Sequence, residues 1–252
     1  MPTIMITNDD GIQAKGLRFL VECVKELGDI YVVAPDGARS GMASAITTET
    51  PLRLNRLQDY LGAQMWSVSG TPVDCVKLGL HRVMPRKPDL LISGINHGSN
   101  SGNSVIYSGT MGAVIEGCVQ EIPSVGFSLL HHHYDADFTE TAPFVIKIAH
   151  ALLEKGLPEG ICLNVNFPAK CKPEGLKVCI SSMGYWTDEY IEQTDPMGRP
   201  FYWLSGHYHN IDPDDPQTDN YWLDRRWATV VPIRPDMSHR SSIETIRETL
   251  SL

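Results

Sequence analysis

Two adjacent carboxylates, Asp9 and Asp10, follow the first apolar run of the chain, Ile4-Met5-Ile6, in the turn Thr7-Asn8-Asp9-Asp10-Gly11. Within a strand they would point to opposite faces. Past the strand end, in a turn that Gly11 permits, both can converge on one point. Paired carboxylates repel each other unless a positive charge lies between them, and a hard divalent cation with oxygen ligands is the natural candidate. Asp-Asp-Gly is also an ordinary loop sequence, so the reading needs partners. Two are available: Ser40, in the small polar stretch Arg39 to Ser44 after the second apolar run, and Asn96, after the third. Two carboxylates, a hydroxyl and an amide carbonyl suit Mg²⁺, Mn²⁺ or Ca²⁺ and do not suit zinc's preference for nitrogen and sulfur. So few protein ligands leave room for water or a substrate phosphate, the open shell that metal catalysis needs.

An anion site is legible beside them. Ser-Gly-Thr precedes a helical pattern twice, at 69–71 and at 108–110. Free backbone N–H groups, hydroxyls and the positive helix end make a cradle for phosphate. At Thr71, followed by Pro72 and Asp74, helix capping accounts for the residues. Ser108-Gly109-Thr110 instead adjoins the loop Ser93 to Asn103, rich in glycine and asparagine, and reads as an anion cradle. His97 lies in that loop and is the histidine best placed to touch a substrate. His131-His132-His133 reads as a solvated loop, and His207 with His209 has chelating spacing but no acidic or thiol partner. No nucleophile elbow occurs, so no Ser-His-Asp triad is supported.

These groups need a scaffold that brings strand ends together. Leu17, Leu20, Val21, Val24 and Leu27 predict a helix over 15–28 that stops at Gly28. Residues 29–34 then form a second buried strand, and strand–helix–strand predicts a right-handed crossover. Further helices are expected at 71–84, 111–120 and 138–155, with strands at 89–92, 123–127, 161–167 and 176–182. The whole predicts an α/β, Rossmann-like and mostly parallel sheet with helices on both faces, whose ligands sit outside the strands' carboxyl ends. Residues 50–57 and 64–68 suggest a hairpin flap. From Met183 the chain turns aromatic, with short strands, a solvated Asp- and Pro-rich loop over 211–219, a strand over 227–233 and a terminal helix over 241–250. The expected division is a catalytic core at 1–182 and a smaller β-rich elaboration at 183–252, used in assembly.

With 252 residues, 42% hydrophobic and 20% charged, the chain can bury a substantial core. A net charge of −9 argues against a nucleic-acid duplex as partner. The six cysteines lie apart, without C-x-x-C pairs, so neither a disulfide framework nor a zinc site is expected. No membrane-spanning run is present, and the N-terminus enters a strand without a leader pattern, which predicts a cytoplasmic protein and no membrane partner.

Five ordered motifs resemble the survival protein SurE family: Ile-Thr-Asn-Asp-Asp-Gly-Ile (6–12), Val-Val-Ala-Pro-Asp (32–36) with Arg39-Ser40-Gly41, Gly-Thr-Pro-Val-Asp-Cys-Val (70–76), Ser-Gly-Ile-Asn-His-Gly-Ser-Asn (93–100) and Tyr-Ser-Gly-Thr (107–110). The resemblance resumes at Thr218-Asp219 and over 229–233. It implies a divalent-metal phosphomonoesterase acting on nucleoside 5′- and 3′-monophosphates, with one metal per subunit, Mg²⁺ or Mn²⁺, held by Asp9, Asp10, Ser40 and Asn96. It implies phosphate contacts at Asn100, Ser108, Gly109 and Thr110. Asn8, in the acidic turn, and His97, in the glycine-rich loop, are further substrate-binding candidates by their placement. It also implies a homodimer or homotetramer assembled through the C-terminal region. Asn103 departs from the pattern, standing where many relatives carry an acid, and so does Trp222 to Trp227 with Arg225 and Arg226.

Two rivals fail on sequence and two more need an assay. A phosphorelay receiver needs an Asp after its third strand, where this chain has Ser93-Gly-Ile-Asn96. A nicotinamide-binding protein needs G-x-G-x-x-G where this chain has the acidic turn. A broad-specificity acid phosphatase or exopolyphosphatase, or a nucleotide sensor without catalysis, keeps the same ligands and is separated only by assay.

Overall fold

Alternation along the first strand decides which helix packs on which face of the sheet. In the computed structural model, which describes residues 1–133 and 135–252, that strand is β1 (Thr3–Thr7), buried throughout. Ile4 and Ile6 face a core that includes Leu17, Leu20 and Val21 of α1 (Lys15–Val24). Met5 faces the opposite core, with Val76 and Ala113. Residues burying both faces in this way call for helices on both sides.

The chain continues through β2 (Asp29–Pro35), β3 (Leu54–Arg56), β4 (Gln64–Val68), α2 (Pro72–Arg82), β5 (Leu90–His97), α3 (Gly109–Val119), β6 (Ser124–Leu129), α4 (Ala142–Lys155), β7 (Cys162–Phe167) and β8 (Leu176–Val178). Two small hairpin-like pairs come next, β9 (Gly184–Thr187) with β12 (His207–Asn210) and β10 (Tyr190–Thr194) with β11 (Pro200–Leu204), followed by α5 (Asp219–Leu223), β13 (Ala228–Ile233) and α6 (Ile243–Leu250). The described residues form a nine-stranded sheet ordered β3-β4-β2-β1-β5-β6-β7-β13-β8. The run from β4 to β7 is parallel, and antiparallel pairing is confined to β3 with β4 and β13 with β7. The chain winds outward on both sides of β1, so the crevice at the carboxyl ends of β1 and β5 is the topological switch point.

Three expectations differ in detail. Residues 64–68 are not part of a free flap: β4 pairs in parallel with β2 and carries β3 on the sheet's edge. The helix α1 ends at Val24, and Gly28 serves a different purpose, since a Cβ there would lie 2.3 Å from the Pro2 carbonyl oxygen. The strand expected over 89–92 runs on to His97, through a register shift between Ser93 and Asn96. Within the elaboration expected over 183–252, β13 returns to the sheet between β7 and β8. Among the described residues no helix is long and apolar enough to cross a membrane.

The capping reading of Thr71 is what the structure shows. Its hydroxyl accepts from Asp74 N–H at 3.1 Å, and the Asp74 carboxylate accepts from Thr71 N–H at 2.9 Å, a closed capping box. Asp74 also accepts from the Thr47 N–H and hydroxyl, at 3.1 and 2.6 Å, which pins the long 36–53 connection to α2. Burial pushes the Asp74 carboxyl up, but the Thr47 and Thr71 donors outweigh it and hold the group below its ordinary value of 3.8. A depressed carboxylate contributes stability that is present above the unfolded pKa near 4 and lost as pH falls below it. Asp74→Ala is therefore expected to lower stability by about 2 kcal/mol at pH 7. The difference from the parent protein should shrink on acidification below about pH 4, and urea unfolding at several pH values reads both effects.

Candidate metal and phosphate site

The acidic turn is shaped by its own asparagine. Asn8, fully buried, donates its side-chain amide to the Gly11 carbonyl at 3.0 Å and accepts from Gly11 N–H at 3.2 Å. Gly11 sits at φ +99°, with Gly37 backbone 3.0 Å from where a Cβ would be, so a side chain there is excluded twice over. Both ends of the Asn8 amide are thus used in forming the turn.

The turn delivers Asp9 and Asp10 to different neighbours. Asp9, only 4% exposed, accepts a 2.5 Å hydrogen bond from the Thr110 hydroxyl through Oδ1. Its main-chain carbonyl accepts from Arg39 N–H at 2.7 Å, which lays the segment carrying Ser40 against the turn. Ser40 itself is exposed. Asp10 accepts from His97 N–H at 3.0 Å through Oδ2, which ties it to the end of β5. Asn96, 8% exposed, donates its amide nitrogen to the Gly98 carbonyl at 3.0 Å, a bond that leaves its amide oxygen unused. Asp9 Oδ2, Asp10 Oδ1 and Asn96 Oδ1 accept no hydrogen bond from the described residues.

The electrostatics match that count of free oxygens. Burial pushes the Asp9 carboxyl up to about 6, the Thr110 bond works against this, and the neighbouring Asp10 charge adds to it. Burial also raises Asp10, against the His97 N–H. Two carboxylates each disfavoured in their charged form, each gripped by one side-chain or main-chain donor and with its second oxygen open, form a set that a hard dication would complete. The residues present therefore fit a divalent cation.

Ser108 caps α3, its hydroxyl accepting from Met111 N–H at 3.1 Å. Gly109 opens the helix directly over Asp9: a Cβ there would stand 2.8 Å from the Asp9 Cβ and 3.0 Å from its Oδ2. The first turn of a helix has N–H groups that no helical carbonyl can take, and here they face the acidic pair across a glycine. Thr110 is fully buried and its hydroxyl proton goes to Asp9, so the side chain serves the carboxylate where an anion contact was expected. Asn100 is likewise engaged: its N–H donates to Asn166 Oδ1 at 2.9 Å, its carbonyl accepts from Asn164 Nδ2 at 2.8 Å, and its amide donates to Ser128 Oγ at 2.8 Å.

His97 turns its ring edge-on to Phe138, with centroids 5.0 Å apart, and Nδ1 lies 3.2 Å from the His133 carbonyl. The loop at 131–133 thus folds back on the glycine-rich loop, with His132 packed over Gly98, although His132 and His133 keep exposed side chains. His209 stacks obliquely on Tyr185 at 5.0 Å.

Three contributors escaped the sequence reading, Ser128, Asn164 and Asn166, and Asp219 entered it only through the resemblance that resumes at Thr218-Asp219. Asn164 and Asn166 interrupt the apolar strand Leu-Asn-Val-Asn-Phe, and polar groups inside a buried strand signal a network that must be satisfied. Asp219, placed in a solvated loop from its composition, is fully buried.

Fold and site together define a doubly wound α/β protein with an oxygen-lined acidic centre and a helix N-terminus at its switch point. A family model described as survival protein SurE matches residues 4–188. Proteins named 5′-nucleotidase SurE match nearly end to end: one from Phocaeicola vulgatus at 44% identity, covering 94% of this chain and 92% of its own, and one from Christiangramia forsetii at 45%, covering 97% and 95%. The crystal structure of the SurE protein from Aquifex aeolicus superposes with a TM-score of 0.84 at 32% identity, covering 99% of this chain and all of that one. The chain belongs to the SurE family.

Proposed function

We propose that the protein is a divalent-metal-dependent phosphomonoesterase that hydrolyses nucleoside 5′-monophosphates, and 3′-monophosphates with them, to nucleoside and phosphate. The observation that carries this reading is the facing of unsatisfied Asp9 and Asp10 oxygens and the N-terminus of α3 across Gly109. One arrangement invites a cation and an anion at the same point. The nucleotide preference is supported by relatives named 5′-nucleotidase at 40–45% identity.

Asp9, Asp10, Ser40 and Asn96 would hold the metal, Mg²⁺ or Mn²⁺. When bound, it supplies a Lewis acid for a phosphate oxygen and a water made acidic enough to attack near neutral pH. The chain's own residues do the rest. The amides that open α3 stabilise charge on the equatorial phosphate oxygens. Thr110 and the His97 N–H fix the two carboxylates, each by one oxygen, leaving the other free for the metal or for the attacking water's proton. Gly109 keeps the space between them clear. A covalent route, in which Asp9 attacks phosphorus, expels the nucleoside and is freed when water cleaves the acyl phosphate, is the mechanistic rival; a phosphorylated Asp9 trapped by acid quench and found by mass spectrometry would establish it.

The test is phosphate release from nucleotides, sugar phosphates and polyphosphate with Mg²⁺, Mn²⁺ or EDTA. Chelation is expected to lower nucleotide hydrolysis more than about tenfold, with recovery on adding Mn²⁺. Undiminished turnover in EDTA would remove the metal, and no release under any condition would leave a nucleotide sensor.

We further propose assembly as a homodimer or homotetramer through the C-terminal region. Tyr190, Ile191, Tyr202, Trp203 and Leu204 on β10 and β11 are exposed, as are Ile243, Ile246 and Leu250 on α6, more apolar surface than a lone chain commonly shows. Light scattering should give two or four times the chain mass, and a monomer at micromolar concentration would refute it.

A further inference from the structure

We infer that Asp219 and Tyr208 are positioning residues for the phosphate-binding loop, so that the C-terminal part of the chain sets phosphate affinity at a site to which it contributes no ligand. The inference rests on the reading of 100–110 as that loop.

The connection from β5 to α3 has little structure of its own. Gly98 and Gly102 adopt positive φ, +115° and +57°, and only a short 3₁₀ helix over Gly102–Tyr107 precedes α3. Holding such a segment in one place costs conformational entropy that outside contacts must offset. On one side Asn164, Asn166 and Ser128 hold Asn100, as described above. The other side belongs to residues beyond 180. Asp219 Oδ2 accepts from Gly102 N–H at 2.7 Å, and Oδ1 accepts from Ser182 N–H at 2.9 Å and Asn220 N–H at 2.8 Å. Tyr208 donates its hydroxyl to Asn103 Oδ1 at 2.7 Å, and Asn103 donates to the Gly184 carbonyl at 2.6 Å. Gly102 is enclosed so closely that a Cβ would lie 2.7 Å from Tyr208 Oη and 2.8 Å from Ser182 Oγ.

Asp219 is fully buried, and among the described residues no Lys, Arg or His pairs with it. A buried carboxylate is expensive and is tolerated when several directed donors satisfy it. Here the donors are main-chain N–H groups from three separate segments, and one of them is the midpoint of the loop. A purely structural anchor would not need the loop among its partners.

The metal ligands are held away from the clamped residues, Gly102 and Asn103. Asn96 and His97 lie in register with Ser128 and Leu129 of β6, Asp10 accepts from the His97 N–H, and Asp9 is held by Thr110 in the first turn of α3, beyond the 3₁₀ segment. Loosening the clamp should therefore weaken phosphate binding and leave metal binding alone. That split separates positioning from general destabilisation.

The experiment uses the full chain, with thermal melts to show folding. Titrations with Mn²⁺ and with inorganic phosphate in its presence give two affinities, and steady-state assays give KM and kcat. Asp219→Ala is expected to raise the phosphate Kd and the nucleotide KM about tenfold, and Tyr208→Phe, which keeps the ring and removes one hydroxyl, about threefold. The Mn²⁺ Kd should stay within about twofold of the parent value in both. Unchanged phosphate affinity in the folded variants overturns the inference, as does a parallel loss of Mn²⁺ affinity. Should Asp219→Ala fail to fold, Tyr208→Phe decides alone. Should the parent protein bind Mn²⁺ and phosphate yet hydrolyse no nucleotide, the proposed function falls, while the phosphate titrations still decide the clamp.

Discussion

Asp9→Asn is expected to lower kcat by about a thousandfold or more while leaving the fold intact. The amide keeps the shape of the carboxylate and an oxygen that can accept from Thr110, so the turn and the start of α3 have no steric reason to move. What disappears is the charge that would hold the dication. Burial already disfavours that charge, pushing the Asp9 carboxyl up to about 6. Removing it should not destabilise the metal-free protein, and in chelator the variant should melt no lower than its parent. Added Mn²⁺ should raise the parent's melting temperature and leave the variant's almost unmoved, since a ligand stabilises only the state that binds it. Circular dichroism melts and phosphate release provide the readouts. A folded variant that keeps a tenth or more of the parent's kcat would sink the mechanism.

Gly109→Ala should cost about a hundredfold in kcat/KM, for a different reason. Alanine is the better helix former, so α3 itself gains. The added methyl would have to occupy space 2.8 Å from the Asp9 Cβ, 3.0 Å from Asp9 Oδ2 and 3.3 Å from the Arg39 carbonyl oxygen. Asp9 has little freedom to yield, because Thr110 grips one oxygen and Arg39 N–H grips its main chain. The methyl must therefore displace the carboxylate or the helix end, and either change opens the distance between cation and anion sites. Mn²⁺ titration and steady-state kinetics on the same preparation check it. Parent-like turnover would show that the helix start and the acidic pair do not share a substrate.

Both variants act where β1 and α3 meet, and neither element reveals the meeting by itself. The sequence alone determined a great deal. The apolar runs at 4–6, 29–34 and 89–92, with the helical periodicity between them, carry the sheet's burial in their composition, because a parallel strand buried on both faces is mostly apolar. Asp9, Asp10 and Asn96 stand out because they break those runs at the carboxyl ends, where the topology gathers side chains. The cap at Thr71 was legible because all its partners lie within three residues.

What only the tertiary structure decided depends on contacts between distant parts of the chain. Thr110 and Asp9 are separated by 101 residues, and Gly102 and Asp219 by 117. No periodicity encodes such a pairing, so Thr110 read as an anion contact and Asp219 as part of a solvated loop. The pairing of β4 with β2 and the return of β13 to the sheet were hidden for the same physical reason. A polar side chain's task is set by the donor or acceptor that folding brings within about 3 Å of it, and for these residues that partner is known only once the sheet has closed around them.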